Sequence, residues 1–246
     1  MSGPGASQAA LSLQGVRFRW PRATHDVLVI DSLHVAPGER VLVRGDSGCG
    51  KSTLLSLAAG VLVPQAGEVR LLGTDWRSIP AGRRDRRRTE HIGYIFQQFN
   101  LLPYLDVLDN VLLPCRFSPR RAARAGGTDG RLRNTAEALL AALQLEPAFW
   151  RRPAGELSVG QQQRVAAARA LLGQPELVIA DEPTSALDET RRDAFMDLLV
   201  RVCDEAGSAL LFVSHDVRLA VHFSRVIDLP SVNRAAAPAM AMAPAT

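Results

Sequence analysis

Residues Gly45 to Thr53, Gly-Asp-Ser-Gly-Cys-Gly-Lys-Ser-Thr, constrain this chain more than any other stretch. They match Gly-x-x-x-x-Gly-Lys-Ser/Thr, a pattern with chemical meaning only when a strand enters it and a helix leaves it. Both are predicted here: Arg40 to Arg44 reads as a strand and Lys51 to Gly60 as a helix. Gly45, Gly48 and Gly50 let the backbone curl, so that the N–H groups of Asp46, Ser47, Cys49 and their neighbours can surround a phosphate. The following helix adds positive potential at its N-terminus. Lys51 supplies a compact cation for the β- and γ-phosphates, and Ser52, followed by Thr53, offers a hydroxyl to Mg²⁺. Of the 29 basic side chains, 28 are arginine and Lys51 is the single lysine. A composition that uses arginine everywhere else suggests a position that rejects a guanidinium.

The rest of the chain alternates in the same manner. Strands are predicted at Leu11 to Trp20, Val27 to Val35, Glu68 to Leu72, His91 to Phe96, Leu177 to Ala180, Ala209 to Val213 and Val226 to Leu229. Helices are predicted at Arg131 to Leu145, Gly160 to Leu172 and Glu189 to Glu205. Such alternation implies an α/β fold with a mostly parallel sheet covered by helices. From Phe99 to Glu156 no strand is predicted, and Arg116 to Gly130 reads as an Arg/Gly-rich loop, so this stretch is expected to be a helical subdomain inserted into the core. Residues 1–10 and 230–246, rich in Ala, Pro, Gly and Met, are expected to lack structure.

A second chemical signal closes the strand Leu177-Val178-Ile179-Ala180 with Asp181-Glu182. After such a strand, Asp181 can hold Mg²⁺ and Glu182 can polarise a water aimed at the γ-phosphate. Together with the phosphate loop, this pair implies a P-loop ATPase that uses ATP and Mg²⁺.

A third signal, Leu157-Ser158-Val159-Gly160-Gln161 followed by Gln163-Arg164, resembles the signature of the ABC ATPase family, with Val159 where the family has its first glycine. The resemblance extends over residues 11–229. It implies a RecA-like P-loop core (11–97 and 158–229), an N-terminal antiparallel β-subdomain and a helical subdomain at 98–157. It also implies roles. Ser158, Gly160 and Gln161 of one copy would complete the phosphate site of a second copy, giving a head-to-tail dimer around two ATP molecules. Gln97, with Gln98 as its neighbouring alternative, would sense Mg²⁺ and the attacking water. Ser185 to Asp188 would form the D-loop, and His215 would contact the γ-phosphate. Trp20 would stack on adenine, with Phe18 as its rival.

The motifs around Gln97, Leu101-Leu102-Pro103 and Asp181 look similar to the macrolide-exporter and lipoprotein-release group. That group implies a separate transmembrane permease as partner, and a cytoplasmic subunit held at the inner face of the membrane. The alternatives are the ATPase of a polar amino-acid importer and a soluble ABC ATPase outside transport. The apolar segment Phe99 to Val111, with rim residues Asn100, Tyr104 and Asp106, is expected to border the groove that receives a permease helix. The arginine run at 83–88 has no interleaved aromatics, and the net charge is only +4, so nucleic acid is not an expected partner. Cys49, Cys115 and Cys203 are odd in number and widely spaced, which argues against a disulfide framework and against a zinc site. No apolar run reaches the roughly 20 residues that span a bilayer.

Overall fold

In the strand Arg40–Arg44, side chains alternate between two apolar layers: Val41 and Val43 belong to one core cluster and Leu42 to another. The same alternation runs through Leu177–Asp181 and Ala209–Val213. A parallel sheet buried on both faces requires this pattern. The computed structural model describes residues 9–185 and 187–235. Ala186, of the expected D-loop, lies outside them, as do the end segments 1–8 and 236–246.

The chain opens with β1 (Leu11–Phe18), β2 (Leu28–Val35), β3 (Arg40–Arg44), α1 (Lys51–Ala58), β4 (Ala66–Leu71) and β5 (Thr74–Asp75). It continues through α2 (Ala81–His91), β6 (Ile92–Ile95), α3 (Val107–Phe117), α4 (Pro119–Arg124) and α5 (Asp129–Ala142). It ends with α6 (Val159–Leu171), β7 (Leu177–Asp181), α7 (Glu189–Ala206), β8 (Ala209–Val213), β9 (Arg225–Asp228) and the short turn α8 (Leu229–Val232). A four-stranded antiparallel sheet has the order β2-β1-β4-β5, and a five-stranded parallel sheet has the order β6-β7-β8-β3-β9. One apolar cluster joins the antiparallel sheet, α1 and one face of the parallel sheet. The other face packs with α3, α5, α6 and α7, so the inserted helices share a core with the sheet.

Two stretches differ from the sequence reading, and a third, assigned no element there, is helical. The expected Arg/Gly-rich loop contains α4, which starts on strong local signals: Ser118 Oγ accepts from the Arg121 N–H at 3.1 Å and Pro119 takes the first helical position. The arginine run at 83–88 lies on α2. Residues 9–10 and 230–235 are ordered by pairing. The Ala10 N–H donates to Val35 O at 2.9 Å, and Asn233 bridges to Ile30 across the outer edge of β2.

A buried arginine ties the inserted helices to the sheet. Arg121, at 2% exposure, donates to the carbonyls of Leu172 (2.7 Å), Ala170 (2.5 Å), Ile92 (3.4 Å) and Arg169 (3.4 Å). It thereby caps the C-terminal end of α6, where carbonyls lack helical partners and a cation is favoured. Burial lowers its pKa to about 10.

Candidate functional site

β3 is held between β8 and β9, which fixes the point where the phosphate loop begins. Gly50 precedes α1 with φ 103°, a left-handed conformation open to glycine, and a Cβ there would come within 2.9 Å of Leu28 Cδ2. Gly45 is as tightly placed: a Cβ would meet Cys49 Sγ at 2.6 Å and Pro230 Cδ at 3.0 Å. Lys51, 8% exposed, folds back over the loop and donates to Gly45 O at 2.7 Å and Asp46 O at 2.9 Å.

β7 delivers the acids from two strands away, with β8 between it and β3. Asp181 is the last residue of β7, in register with Val213 of β8. Glu182 follows with φ 44°, a strained conformation for a side chain of this size, and its N–H donates to Val213 O at 3.0 Å. The Glu182 carboxylate then lies 3.5 Å from Lys51 Nζ through Oε1 and 3.1 Å from His215 Nδ1 through Oε2. Burial, and then the neighbouring Glu182 charge, push the Asp181 carboxyl up, with Lys51 opposing. The segment carrying His215 is anchored next door: Asp216 pairs with Arg192 at 2.7 Å and Arg218 at 2.9 Å. The hydrogen bond from Arg218 leads in holding the Asp216 carboxyl near a pKa of about 2.

These groups meet in a cavity of about 500 Å³. Ser47, Gly48 and Gly50 to Thr53 line it together with Asp181, Glu182, Gln97, Trp20 and Val27. Gly45, Asp46 and Cys49 shape the loop from behind, Asp46 through its carbonyl, and His215 connects through Glu182. Gln97 faces the cavity and Gln98 is absent from its lining. The two candidate aromatics separate in the same way: Phe18 is 4% exposed in the core, and Trp20, edge-on to it at 5.2 Å, is 45% exposed at the cavity. Ser52, Gln97 and Asp181 present oxygen donors on one side chain each, a hard donor set of the kind Mg²⁺ takes beside phosphate oxygens. No group of three or more His, Cys, Asp or Glu suited to a metal occurs among the described residues.

Within one chain, Ser158, Gly160 and Gln161 do not reach this cavity. They begin α6, where Ser158 and Gln161 form a reciprocal cap: the Ser158 N–H donates to Gln161 Oε1 at 2.9 Å and the Gln161 N–H to Ser158 Oγ at 3.4 Å. Val159 opens the helix with no positive φ, so this position makes no demand for glycine. Val27 is a lining residue that no motif marks.

A second cavity, about 480 Å³ and mainly apolar, lies beside the strand that leads to Gln97. The expected segment Phe99 to Val111 does not line it. Val107, Leu108 and Val111 are fully buried in the core instead. The C-terminal half of α3 provides Leu113, Pro114 and Phe117, which line it together with Val61, Tyr94 and Phe96. Of the three expected rim residues, Asp106 caps α3 by accepting from the Asp109 N–H at 2.7 Å. Asn100 is exposed but gives its carbonyl to Arg169 at 2.7 Å, and Tyr104 stands out at 75% exposure.

Fold and cavity define a RecA-like P-loop nucleotide-binding protein. The sequence profile described as ABC transporter matches residues 29–185. The Escherichia coli K12 protein described as uncharacterized ABC transporter ATP-binding protein YbbA is 39% identical over 207 residues, covering 83% of this chain and 87% of YbbA. The macrolide export ATP-binding/permease protein MacB of Chromobacterium violaceum is 40% identical over 225 residues, 91% of this chain but 34% of MacB, so the chain spans about a third of that relative. Among solved structures, the ATP-binding cassette MJ0796, a dimer in a post-hydrolysis state with ADP and Pi, superposes with TM-score 0.77 at 34% identity, covering 89% of this chain and 93% of that one. The chain belongs to the ABC transporter family. No helix among its described residues is long and apolar enough to cross a membrane.

Proposed function

We propose that this chain is the ATP-hydrolysing subunit of an ABC transporter and that its cavity binds Mg·ATP. The observation that carries this reading is the convergence of Lys51, Glu182 and His215 beside the phosphate loop, with Asp181, Ser52 and Gln97 in the same cavity. Lys51 and the N-terminus of α1 balance phosphate charge. Ser52, Asp181 and Gln97 would hold Mg²⁺, which when bound neutralises charge on the phosphate oxygens. Glu182 orients and polarises the attacking water, His215 donates toward the γ-phosphate, and Trp20 stacks on the base. Two copies join head to tail, Ser158, Gly160 and Gln161 of each completing the other's cavity. The dimeric MJ0796 cassette supports this assembly.

A separate permease, of the macrolide-export or lipoprotein-release type, places a cytoplasmic helix in the apolar groove between Phe96 and Phe117. The name of the MacB relative supports that type over an importer, and the ABC transporter name of the YbbA relative supports a transporter over a non-transport ATPase. The test is to purify the chain and measure Mg-dependent ATP hydrolysis, together with ATP-dependent dimerisation by light scattering. Hydrolysis that stops on chelation of Mg²⁺, and a dimer that forms with ATP, are expected. A folded protein that neither binds nor hydrolyses ATP overturns the reading.

A further inference from the structure

Trp20 and Val27 reach the cavity from the loop between β1 and β2. The Val27 N–H closes this loop by donating to Phe18 O at 2.8 Å. Two side-chain amides, remote from each other in sequence, grip its flanks. On one flank Gln65 holds both backbone groups of Arg19: Oε1 accepts from the Arg19 N–H at 3.0 Å and Nε2 donates to Arg19 O at 2.8 Å. On the other, Asn233 spans Val27 and Val29: Oδ1 accepts from the Val29 N–H at 2.8 Å and Nδ2 donates to Val27 O at 2.9 Å. β2 is an edge strand, so these groups have no strand partner on that side. The Asn233 amide and the Arg234 N–H, which donates to Val29 O at 2.8 Å, act as a substitute strand. The segment that carries Asn233 also touches the other wall of the cavity, where Pro230 lies behind Gly45 of the phosphate loop.

We infer that Asn233, with Gln65 as its counterpart, is a positioning residue for the base end of the nucleotide. It fixes the loop that presents Trp20 and Val27, and so sets affinity for the nucleoside rather than for the phosphates. This rests on the reading that the cavity holds ATP. An aspartate at 233 would keep the acceptor for the Val29 N–H and lose the donor to Val27 O. An alanine would lose both.

The experiment compares wild type, Asn233→Ala, Asn233→Asp and Gln65→Ala in ATP hydrolysis, with inorganic tripolyphosphate, which has phosphates and no base, as competitor. Losing the paired hydrogen bonds is expected to raise KM for ATP about tenfold in Asn233→Ala and Gln65→Ala, and less in Asn233→Asp. The kcat at saturation and the inhibition constant of tripolyphosphate stay as in wild type. A merely structural role would weaken ATP and tripolyphosphate together, and that result overturns the inference, as does an unchanged KM for ATP. Should one substitution prevent folding, the other two carry the same comparison. Absence of ATP hydrolysis in wild type would instead remove the parent reading.

Discussion

Lys51 and Glu182 face each other across the nucleotide cavity, Nζ 3.5 Å from Oε1, and each has further partners close by. Lys51 rests on the carbonyls of Gly45 and Asp46, and Glu182 is shared with His215. One carboxylate therefore contacts both the cation assigned to phosphate and the histidine assigned to the γ-phosphate.

Comparing substitutions of the two partners separates binding from chemistry. Lys51→Ala removes the cation and leaves phosphate charge unmatched, so both ATP affinity and hydrolysis are expected to collapse. Glu182→Gln keeps the shape and removes the base. Binding should persist while turnover falls roughly 10²–10⁴-fold, and an ATP-bound dimer should accumulate on size-exclusion chromatography. A monomeric Glu182→Gln variant with normal turnover excludes Glu182 as the base.

Trp20→Ala is expected to raise the ATP concentration for half-saturation. Loss of one base–aromatic stack costs about 1–3 kcal/mol. Phe18→Ala, in contrast, opens a cavity in the core and should show first as a lowered Tm. A larger effect of Phe18→Ala on ATP affinity in a protein of unchanged Tm would reverse the assignment.

Glu176 should give the stability of the protein an acid limb. Burial pushes its carboxyl up, but hydrogen bonds from His91 (2.8 Å) and Arg120 (2.6 Å), with the charges of His91 and Arg124, hold its pKa at about 2. A carboxyl whose folded pKa is depressed stabilises the fold above its unfolded value and loses that contribution as pH falls through the folded one. The Tm difference between wild type and Glu176→Gln should therefore be full at pH 7 and shrink from about pH 4.5 toward pH 2. A difference that does not vary with pH would show that the network acts through shape alone.

Phe117 and Val61 are 73% and 59% exposed on the apolar groove, away from the nucleotide cavity. Phe117→Glu should leave basal ATP hydrolysis intact and prevent co-purification with the proposed permease partner. Retained complex formation in both Phe117→Glu and Val61→Glu would exclude this groove as the docking surface.

The sequence makes the chemistry of this chain far more legible than its margins. The phosphate loop and the β7 acids stand out because their function restricts residue type at fixed spacing, and that spacing follows the strand and helix periods. α4 hides in an arginine-rich composition, where its start signal, Ser118-Pro119, is purely local. The apolar run at 99–111 shows that α3 is partly buried but not which side faces the groove. That depends on packing against α6, which the sequence does not display. Asn233 is the least visible of all, because its partners Val27 and Val29 lie 206 and 204 residues away along the chain.

α6 begins at the signature residues and ends on the guanidinium of Arg121, and that residue, with Arg169 and Ala170, also borders the apolar groove. Thirteen residues of helix make a rod of about 20 Å. Three of the four Arg121 hydrogen bonds go to carbonyls at the C-terminal end of the helix, those of Arg169, Ala170 and Leu172, and the fourth goes to Ile92 of β6. The signature residues and the border of the apolar groove therefore sit at the two ends of one short helix that the guanidinium fastens to the sheet.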